Sequence, residues 1–505
     1  MTTLFLNHSL VRLRIIGATI AIIGLSQASL WAQNLTSSFS VPAAAYRADR
    51  ILVMPKAGKA PALANVHAQQ RVAVLGEFPS IGSLQTLHVP AGETVPTLIA
   101  KYQSSGLVEY AEPDFYRALD LLPNDPQFTN GTSWALNNLG QGGGVVDADI
   151  DAPEAWDVLN SASNIVVAII DSGIWRTHED LRSNIWVHPN GTGYGWNALL
   201  DNESPSDGDG HGTLMAGVIG AVGNNGKGSA GVAWQVRLMA CKSFNSLASG
   251  GFDSDIIEGL EFARTNGARI INMSLSGTSF SFSLSNAIFS AREAGIVVVT
   301  SAGNDAANLD FQLRFPACYD LDNIIAVAAT TRTDALWSSS GFGSTNVDLA
   351  APGQQITSSF AFGDSQYITL PGGTSFSAAY VSGASALVRA KYPAESHQQI
   401  IARILNGVDP LPSLAGKCVT GGRLNLRKAL SPPIQLTLLS TAGNLPLQLR
   451  VNAGPNRNCV LEVTTNLTSW SPLFTNTTSA AGTFDFTDNA PTNSPRRFFR
   501  AVSTL

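Results

Sequence analysis

The sequence predicts an α/β protein built on a parallel sheet flanked by helices. A small α+β (ferredoxin-like) domain is predicted before this sheet and a small all-β module after it. The middle of the chain alternates short aliphatic runs with helical stretches, as strands buried on both faces do. The preceding segment follows the order β-α-β-β-α-β, and beyond residues 432–433 (Pro-Pro) the pattern changes to short alternating strands. A chain of 505 residues has room for several such units.

The composition is that of a packed globular protein, since 44% of the residues are hydrophobic and only 13% are charged. The net charge of -6 is spread thinly and forms no basic stripe, so we expect no nucleic-acid partner. We also expect a monomer. Four cysteines are too few for a disulfide scaffold, and their pairing stays open; they are Cys241, Cys318, Cys418 and Cys459.

The N-terminus has the pattern of a secretory signal peptide, which we place at residues 1–32. Arg12 and Arg14 precede an apolar run at 15–25, and small residues follow at Ala28 and Ala32. A membrane anchor is the less favoured alternative, because the run is shorter than the roughly 20 apolar residues that span a bilayer. We therefore expect a secreted protein.

Residues 45–122 form the predicted α+β domain. Its assigned strands lie at 51–54, 84–89 and 108–110, and its first helix lies at 62–72. The second helix is indicated by four apolar residues that fall on one helical face, namely Val95, Leu98, Ile99 and Tyr102. The order fits a split βαβ domain.

Residues 123–431 form the predicted parallel-sheet domain. Its aliphatic strands are assigned to 165–170, 236–240, 268–273, 296–300 and 324–328. Three polar residues follow strand ends or open helices in this domain, and they are Asp171, His211 and Ser375. Open α/β sheets bind their ligands at that edge.

Asp171, His211 and Ser375 supply a carboxylate, an imidazole and a hydroxyl in one of the chain orders known for serine hydrolases. A hydroxyl nucleophile needs an adjacent base, and that base needs an orienting anion. Asn304 follows a buried strand through Gly303, where its amide would stabilise an oxyanion. The structural alternatives are helix capping for Asp171 and Ser375, a solvated loop histidine for His211 and a turn for Asn304.

With these motifs the middle domain resembles the subtilases, the subtilisin-like serine proteases of peptidase family S8, and their thermitase-like branch more than the others. The resemblance covers essentially all of residues 124–430. It implies that Asp171, His211 and Ser375 are the catalytic triad and that Asn304 is the oxyanion-hole side chain. The implied activity is that of a secreted serine endopeptidase acting on proteins or peptides.

The resemblance also implies a substrate cleft that binds extended peptides by adding a strand. One cleft wall would be formed by Ser274, Leu275 and Ser276, and the other by Ser249, Gly250 and Gly251. Ser276 stands where the family usually has glycine, which leaves the cleavage preference open.

By the same resemblance, residues 45–122 are an inhibitory propeptide that occupies the cleft until it is cut. Self-cleavage is expected between Leu119 and Asn124, so the propeptide is the expected intramolecular partner of a zymogen.

A structural calcium ion is also implied, with oxygen ligands that suit a hard cation. The matching positions are Asp125, Asp180 and Asn225, with backbone carbonyls of Val222, Lys227 and Ser229. An ordinary Asn-Asn-Gly turn at 224–226 is the alternative. No catalytic cofactor is implied.

Two other functions compete with an active protease. A non-catalytic binding protein of the subtilase fold would usually have lost a triad residue, and this chain keeps all three. An α/β-hydrolase esterase would have the order Ser-Asp-His and a G-x-S-x-G elbow, but Ser377 stands where the second glycine belongs. The module at 434–505 has no obvious catalytic set, and surface binding, help in secretion and spacing are all open for it.

Overall fold

The structure is a computed structural model that describes residues 46–115, 122–191, 193–246, 250–432, 434–440, 447–453, 458–466, 469–479, 482–488 and 497–503. The described residues from 122 to 432 belong to one compact unit, and the remaining described residues are grouped in a second. The predicted signal peptide lies outside the described residues, as do residues 119–121 of the expected self-cleavage region.

The N-terminal domain has the predicted β-α-β-β-α-β order. Its elements are β1 (Tyr46–Pro55), α1 (Ala60–Gln70), β2 (Val74–Phe78), β3 (Leu84–His88), α2 (Val95–Ser104) and β4 (Val108–Phe115). The strands form an antiparallel sheet in the order β2-β3-β1-β4. Its core contains Ile51, Leu87, Leu98 and Tyr102, so the apolar face predicted for α2 packs inward. The ferredoxin-like prediction is confirmed.

The sequence did not locate β2 because this edge strand buries neither face. Val74, Leu75 and Phe78 are all exposed. A strand without a buried face has no alternation of apolar and polar residues, which is the signal used to find strands.

The middle unit contains a nine-stranded sheet in the order β14-β15-β11-β10-β9-β8-β5-β7-β6. All neighbouring strands in it are parallel except the pair β14 and β15. Its strands are β5 (Ser161–Asp171), β6 (Gly195–Asn197), β7 (Gln235–Lys242), β8 (Ile270–Met273), β9 (Val297–Ser301), β10 (Ile324–Thr330), β11 (Leu349–Pro352), β14 (Asp409–Pro410) and β15 (Gly422–Arg423). A separate hairpin pairs β12 (Gln354–Ser359) with β13 (Tyr367–Gly372).

Helices cover both faces of this sheet. They are α3 (Pro126–Thr129), α4 (Ala152–Trp156), α5 (His211–Gly220), α6 (Asp253–Thr265), α7 (Phe282–Glu293), α8 (Thr374–Lys391), α9 (His397–Asn406) and α10 (Leu426–Ala429). Along β5, Val167 and Ile169 join the core beneath α5 and α8, whereas Ala168 and Ile170 join the core beneath α6 and α7. Burial on both faces explains the uninterrupted aliphatic runs and confirms the predicted parallel sheet.

Strand β5 lies at the topological switch point of the sheet. Its parallel neighbours are β7 on one side and β8 on the other, so the chain passes from one side of β5 to the opposite side. Ligands of open α/β sheets bind beyond the carboxyl ends of strands at such a point. Asp171 is the last residue of β5.

Helices α5 and α8 pack side by side on one face of the sheet. Residues 374–389 of α8 are all buried, and the many serine, alanine and glycine residues among them permit close packing. A Cβ added at Gly383 would lie 3.1 Å from the carbonyl oxygen of Ile219 in α5. Gly383 lies eight residues after Ser375, and Ile219 lies eight residues after His211. The contact between the two helices is therefore equally far along the chain from both candidate catalytic residues.

The C-terminal module has two three-stranded antiparallel sheets, in the orders β16-β17-β20 and β19-β18-β21. Its strands are β16 (Gln435–Ser440), β17 (Leu447–Asn452), β18 (Asn458–Thr464), β19 (Ser471–Thr477), β20 (Thr483–Asp488) and β21 (Phe498–Ser503). Val451, Cys459 and Phe484 contribute to a small core. The all-β prediction is confirmed, although β19 was not assigned because most of its residues are exposed.

All four cysteines are buried, and no disulfide joins them. No helix in the described parts of the chain combines the length and the apolar character needed to cross a bilayer.

Candidate active site

Asp171 and His211 form a buried pair at the carboxyl edge of the sheet. The carboxylate oxygens of Asp171 lie 2.8 and 3.0 Å from Nδ1 of His211, which is the first residue of α5. The two residues are only 4% and 6% exposed. A carboxylate on Nδ1 keeps the proton there and leaves Nε2 as the basic nitrogen.

Glycine at position 212 allows this pair to form. A Cβ at Gly212 would lie 2.1 Å from the carbonyl oxygen of Gly173 and 3.2 Å from Cβ of Asp171. Any side chain there would push α5 away from the end of β5. The glycine beside His211 thus lets the helix approach the strand that carries Asp171.

A second buried aspartate, which the sequence analysis did not single out, fixes the start of α5. The carboxylate of Asp207 accepts hydrogen bonds from the backbone N–H groups of Asp209, Gly210 and Thr213 and from the hydroxyls of Ser172 and Thr213, at 2.5–2.9 Å. The Ser172 hydroxyl in turn accepts from the N–H of Gly212 at 2.9 Å. Asp207 therefore ties the residue after Asp171 to the residue after His211. No sequence motif signals it, because its partners are assembled by the fold.

Ser375 lies at the N-terminus of α8. Hydrogen-bonding contacts with Ser274 hold it at the carboxyl edge of the sheet, where Asp171 and His211 also lie. The Ser274 hydroxyl donates to the carbonyl oxygen of Ser375 at 3.0 Å, and the Ser375 hydroxyl faces the carbonyl oxygen of Ser274 at 3.4 Å. Ser274 directly follows β8, which pairs with β5 in a register that sets Ile169 opposite Asn272. If this strand pairing is extended by two residues beyond Ile169 and Asn272, Ser274 lies opposite Asp171.

The expected hydrogen bond between Ser375 and His211 is not formed in the described structure. The Ser375 hydroxyl instead makes the 3.4 Å contact with Ser274, which is longer than an ordinary O–H···O bond. Such a weak contact leaves the hydroxyl free to rotate, and catalytic hydrogen bonds often tighten only when substrate is bound.

Asn304 is held by its neighbour in space, Thr374. The Asn304 side-chain oxygen accepts hydrogen bonds from the backbone N–H and the hydroxyl of Thr374, both at 2.8 Å. The amide N–H₂ end, which has no acceptor among the described residues, is consequently turned away from Thr374. The sequence predicted Asn304 as an amide donor, but the orienting role of Thr374 was missed because it depends on contact across 70 residues.

The electrostatics of His211 suit a general base for neutral to alkaline pH. Burial lowers the pKa of His211, but the charge and the hydrogen bond of Asp171 outweigh it, so the pKa is raised above the ordinary 6.5. The imidazole accepts a proton only while it is neutral. His211 is therefore able to accept a proton at pH values above this raised pKa.

The predicted cleft walls are described in part. Ser274, Leu275 and Ser276 follow β8, and the Ser301 hydroxyl donates to the carbonyl oxygen of Leu275 at 3.3 Å. Gly250 and Gly251 lie just before α6, whereas Ser249 lies outside the described residues.

The predicted calcium ligands converge on one loop. Asp125 and Asp180 are both 0% exposed, and burial raises the pKa of each carboxyl group. The charge of Asp180 further raises the pKa of Asp125, since the two carboxylates face the same place. Among the described residues, no hydrogen bond reaches the carbonyl oxygens at positions 222, 227 and 229.

This donor set of oxygens with two buried, mutually repelling carboxylates fits a divalent cation. Both carboxylates already accept hydrogen bonds, Asp125 from the N–H of Asn224 at 2.6 Å and Asp180 from the N–H of Ser229 at 3.0 Å. The Asn225 amide is oriented away from a ligand position, because its Nδ2 donates to Asp180 at 2.9 Å and its oxygen accepts from the N–H of Lys227 at 2.8 Å. It would have to turn over to become a ligand. The described residues hold no cluster of three or more His, Cys, Asp or Glu side chains suited to a metal, as expected where carbonyls supply half the ligands.

Comparison with known proteins identifies the class of this protein. The model of the subtilase family matches residues 162–429, and that of the fervidolysin N-terminal prodomain matches residues 32–114. Thermitase of Thermoactinomyces vulgaris is 34% identical over 308 residues, which cover 61% of this chain and 99% of thermitase. Subtilisin DY of Bacillus licheniformis is 38% identical over 48% of this chain and 82% of its own length.

A solved protease structure from Pseudoalteromonas arctica is also similar. It has a TM-score of 0.53 and 29% identity, and the match covers 61% of this chain and 99% of the other. The family match covers more than half of the chain, and the chain belongs to the subtilase family. It is a subtilisin-like serine endopeptidase with an N-terminal prodomain, as its resemblance to thermitase and subtilisin predicted.

Proposed function

We propose that this protein is a secreted, self-processed endopeptidase in which Ser375 attacks the scissile carbonyl, His211 takes its proton and Asp171 orients the imidazole. The tetrahedral oxyanion then binds the side-chain amide of Asn304. Afterwards His211 returns the proton to the leaving amine, and a water molecule releases the acyl group from Ser375 by the same route.

The observation that carries this proposal is the Asp171–His211 contact of 2.8 Å at the edge where Ser375 lies in the first turn of α8. The N-terminus of a long helix favours negative charge next to Ser375. Thr374 holds the oxygen of Asn304 and so presents the N–H₂ group where an oxyanion would form. These contacts supply a nucleophile, a base, an orienting anion and an amide donor.

A fluorophosphonate probe tests the nucleophile. We expect one labelled peptide in the mature protein, modified at Ser375, and casein hydrolysis that stops as labelling reaches completion. Labelling at another serine, or full casein hydrolysis by the labelled protein, would refute the assignment.

The same reaction, acting on the linker that follows the propeptide in this chain, would convert the precursor into the mature protease. We propose a signal peptide at 1–32, an inhibitory propeptide at 45–122, a peptidase domain at 123–431 and a β module at 434–505. The prodomain match and the apolar N-terminal run support this division. Protein substrates would enter between Ser274–Ser276 and Ser249–Gly251 after the propeptide is cut.

We further propose that Ca²⁺ binds at Asp125 and Asp180, with the carbonyl oxygens of Val222, Lys227 and Ser229 and the side-chain oxygen of a turned Asn225. The ion would neutralise the two buried carboxylates and so stabilise the loop after α5. The ammonium group of Lys227 does not fill this role, because it pairs with Glu179 at 3.0 Å.

Removing calcium should lower the thermal stability of the mature protein. An ion at 100 times its Kd adds about 2.7 kcal/mol to the free energy of unfolding. In a peptidase domain of about 310 residues, with an unfolding entropy of about 2.1 cal/mol/K per residue, that corresponds to a Tm shift of about 4 °C. Scanning calorimetry in Ca²⁺ and in chelator measures the shift.

The Asp180→Asn variant should lose the calcium response, whereas Asp201→Asn, a change at an exposed turn, should keep it. An equal calcium-dependent Tm shift in Asp180→Asn and wild type would contradict the site.

A further inference from the structure

Lys242 is a buried cation beside the candidate triad, and it takes no part in the proton transfers described above. It is 7% exposed and ends β7, where the parallel register sets it directly opposite Asp171 at the end of β5. Side chains at opposite positions of neighbouring strands leave the sheet on the same face. Burying an ammonium group is costly unless its charge is compensated, so a lysine at this place needs an explanation.

The ammonium group of Lys242 holds the chain where it leaves β5. Its Nζ donates a hydrogen bond of 2.6 Å to the carbonyl oxygen of Ser172, a residue that is 1% exposed. The N–H of Ser172 donates to Oδ1 of Asp171 at 2.8 Å, and this oxygen also lies 2.8 Å from Nδ1 of His211. Lys242 therefore fixes the residue whose backbone orients the Asp171 carboxylate toward the imidazole.

The peptide between Ser172 and Gly173, which accepts this hydrogen bond, is closely packed on both sides. Gly173 has a φ of +110°, and a Cβ added there would lie 2.5 Å from the carbonyl oxygen of Pro205. The carbonyl oxygen of Gly173 lies against Gly212, the second residue of α5, where a Cβ would approach it to 2.1 Å. A shift of this peptide would therefore disturb both the strand end and the helix start that carry the buried pair.

The same carboxylates surround Lys242 and His211. Burial lowers the pKa of Lys242, against the effect of three nearby carboxylates. These carboxylates belong to Asp207, Asp171 and Asp209. Burial also lowers the pKa of His211, but the same three charges raise it. The imidazole thus faces negative charge from the end of β5 and from the segment before α5, and the cation on β7 offsets part of that charge.

We propose that Lys242 is a positioning residue of the peptidase reaction: it anchors Ser172 and thereby keeps the Asp171 carboxylate aimed at the imidazole. Its positive charge also offsets part of the negative charge around that imidazole. This inference rests on the function proposed above. Because Lys242 is buried and acts through Ser172 and Asp171, its loss should slow the chemical step and leave substrate binding unchanged.

A purely structural cation is the alternative to this role. Arg423 is an example, since it is 2% exposed and pairs with Asp334 and Asp409 near the opposite edge of the sheet. Loss of a structural cation lowers the stability of the fold, but the molecules that still fold keep their pH profile and their KM. The two roles of Lys242 therefore differ in the kinetics of the folded enzyme.

Lys242→Met keeps most of the side-chain volume and removes the ammonium group. At equal concentrations of folded protein, kcat for a chromogenic peptide should fall by about 10–100-fold, since a misplacement of about 1 Å can cost about 100-fold. KM should stay within about twofold of the wild-type value. The acid limb, which is the fall of kcat at low pH, should move to higher pH because the carboxylates around His211 lose their counter-charge.

Two further variants separate the charge from the fold. Lys242→Arg keeps a positive charge and should return the acid limb to its wild-type pH, although the larger guanidinium should leave kcat reduced. An acid limb shifted as far in Lys242→Arg as in Lys242→Met would overturn the charge effect. Arg237→Met is the matched control, because this exposed arginine of β7 also donates to a carbonyl oxygen of β5, that of Ser163 at 3.2 Å. It should change neither kcat nor the acid limb.

A double-mutant cycle tests whether Lys242 acts through Asp171. If it does, Lys242→Met should lower kcat by less than about threefold in an Asp171→Asn background, because residues that act as a unit are not additive. An equal factor of loss in both backgrounds would overturn the proposal.

Two failures are distinguishable. A Lys242→Met protein that keeps the wild-type kcat and acid limb, or that raises KM instead of lowering kcat, would overturn the positioning role and leave the peptidase intact. A wild-type protein that cleaves no peptide and takes no fluorophosphonate label would instead overturn the proposed function. If Lys242→Met does not fold, as judged by its melting curve, Lys242→Gln replaces it with the same expected results, because its amide ends one bond short of the Ser172 carbonyl.

Discussion

Replacing Ser375 with alanine should lower kcat for peptide hydrolysis by about a millionfold, the loss typical of a triad nucleophile. The oxyanion donor and the cleft would remain, so a residual rate of about 10³–10⁴ over water is expected. Equal, independently determined concentrations of the two proteins and a sensitive peptide substrate measure the difference. The variant should also accumulate as the full precursor, because the chain would no longer cut itself between Leu119 and Asn124.

The chain offers a matched control in Ser385→Ala. Ser385 is also buried in α8, and its hydroxyl has no hydrogen-bond partner in the described structure. The same substitution there removes no hydrogen bond and should leave both maturation and kcat near the wild-type values. Normal processing of purified Ser375→Ala would exclude self-cleavage, and normal peptide hydrolysis would exclude Ser375 as the nucleophile.

Asp171→Asn should lower kcat by roughly 10⁴, because an amide no longer fixes the His211 tautomer with its proton on Nδ1. KM should change little, since Asp171 lies behind the imidazole and not in the cleft. A kcat reduced by less than about tenfold would show that Asp171 is not the orienting anion.

The pH profile gives Asp171→Asn a second readout. In the wild type, activity should fall as the pH drops through the raised pKa of His211, so the acid limb lies above pH 6.5. Loss of the Asp171 charge should move this limb to lower pH. Folding stability depends on pH in the opposite direction. The His211–Asp171 pair stabilises the folded state fully at pH values below the pKa that His211 has in the unfolded chain. That contribution is lost as the pH rises through the pKa of His211 in the folded protein.

Much of this molecule follows from local patterns in the sequence. The buried strands β5 and β9 are aliphatic throughout because helices cover both faces, so length and composition identify them. Asp171, His211 and Ser375 stand out because small residues flank them where elements begin or end. The exposed edge strands β2 and β19 have no such pattern, and they were missed.

The supporting contacts of the candidate site could not be predicted. Asp207 acts through Ser172, 35 residues away, and Thr374 holds Asn304 across 70 residues. Lys242 reaches Ser172 only because β7 and β5 are neighbours in the sheet. Such contacts depend on tertiary geometry, which spacing along a single chain does not encode.

The burial of α8 on every side has a consequence for how this enzyme can diverge. Ser375 lies in a helix set in the central core, where overpacking by a methylene or two costs about 1–3 kcal/mol. Residues 311–313, by contrast, are exposed and carry no such constraint. Sequence change should therefore accumulate in such surface loops much faster than along α8.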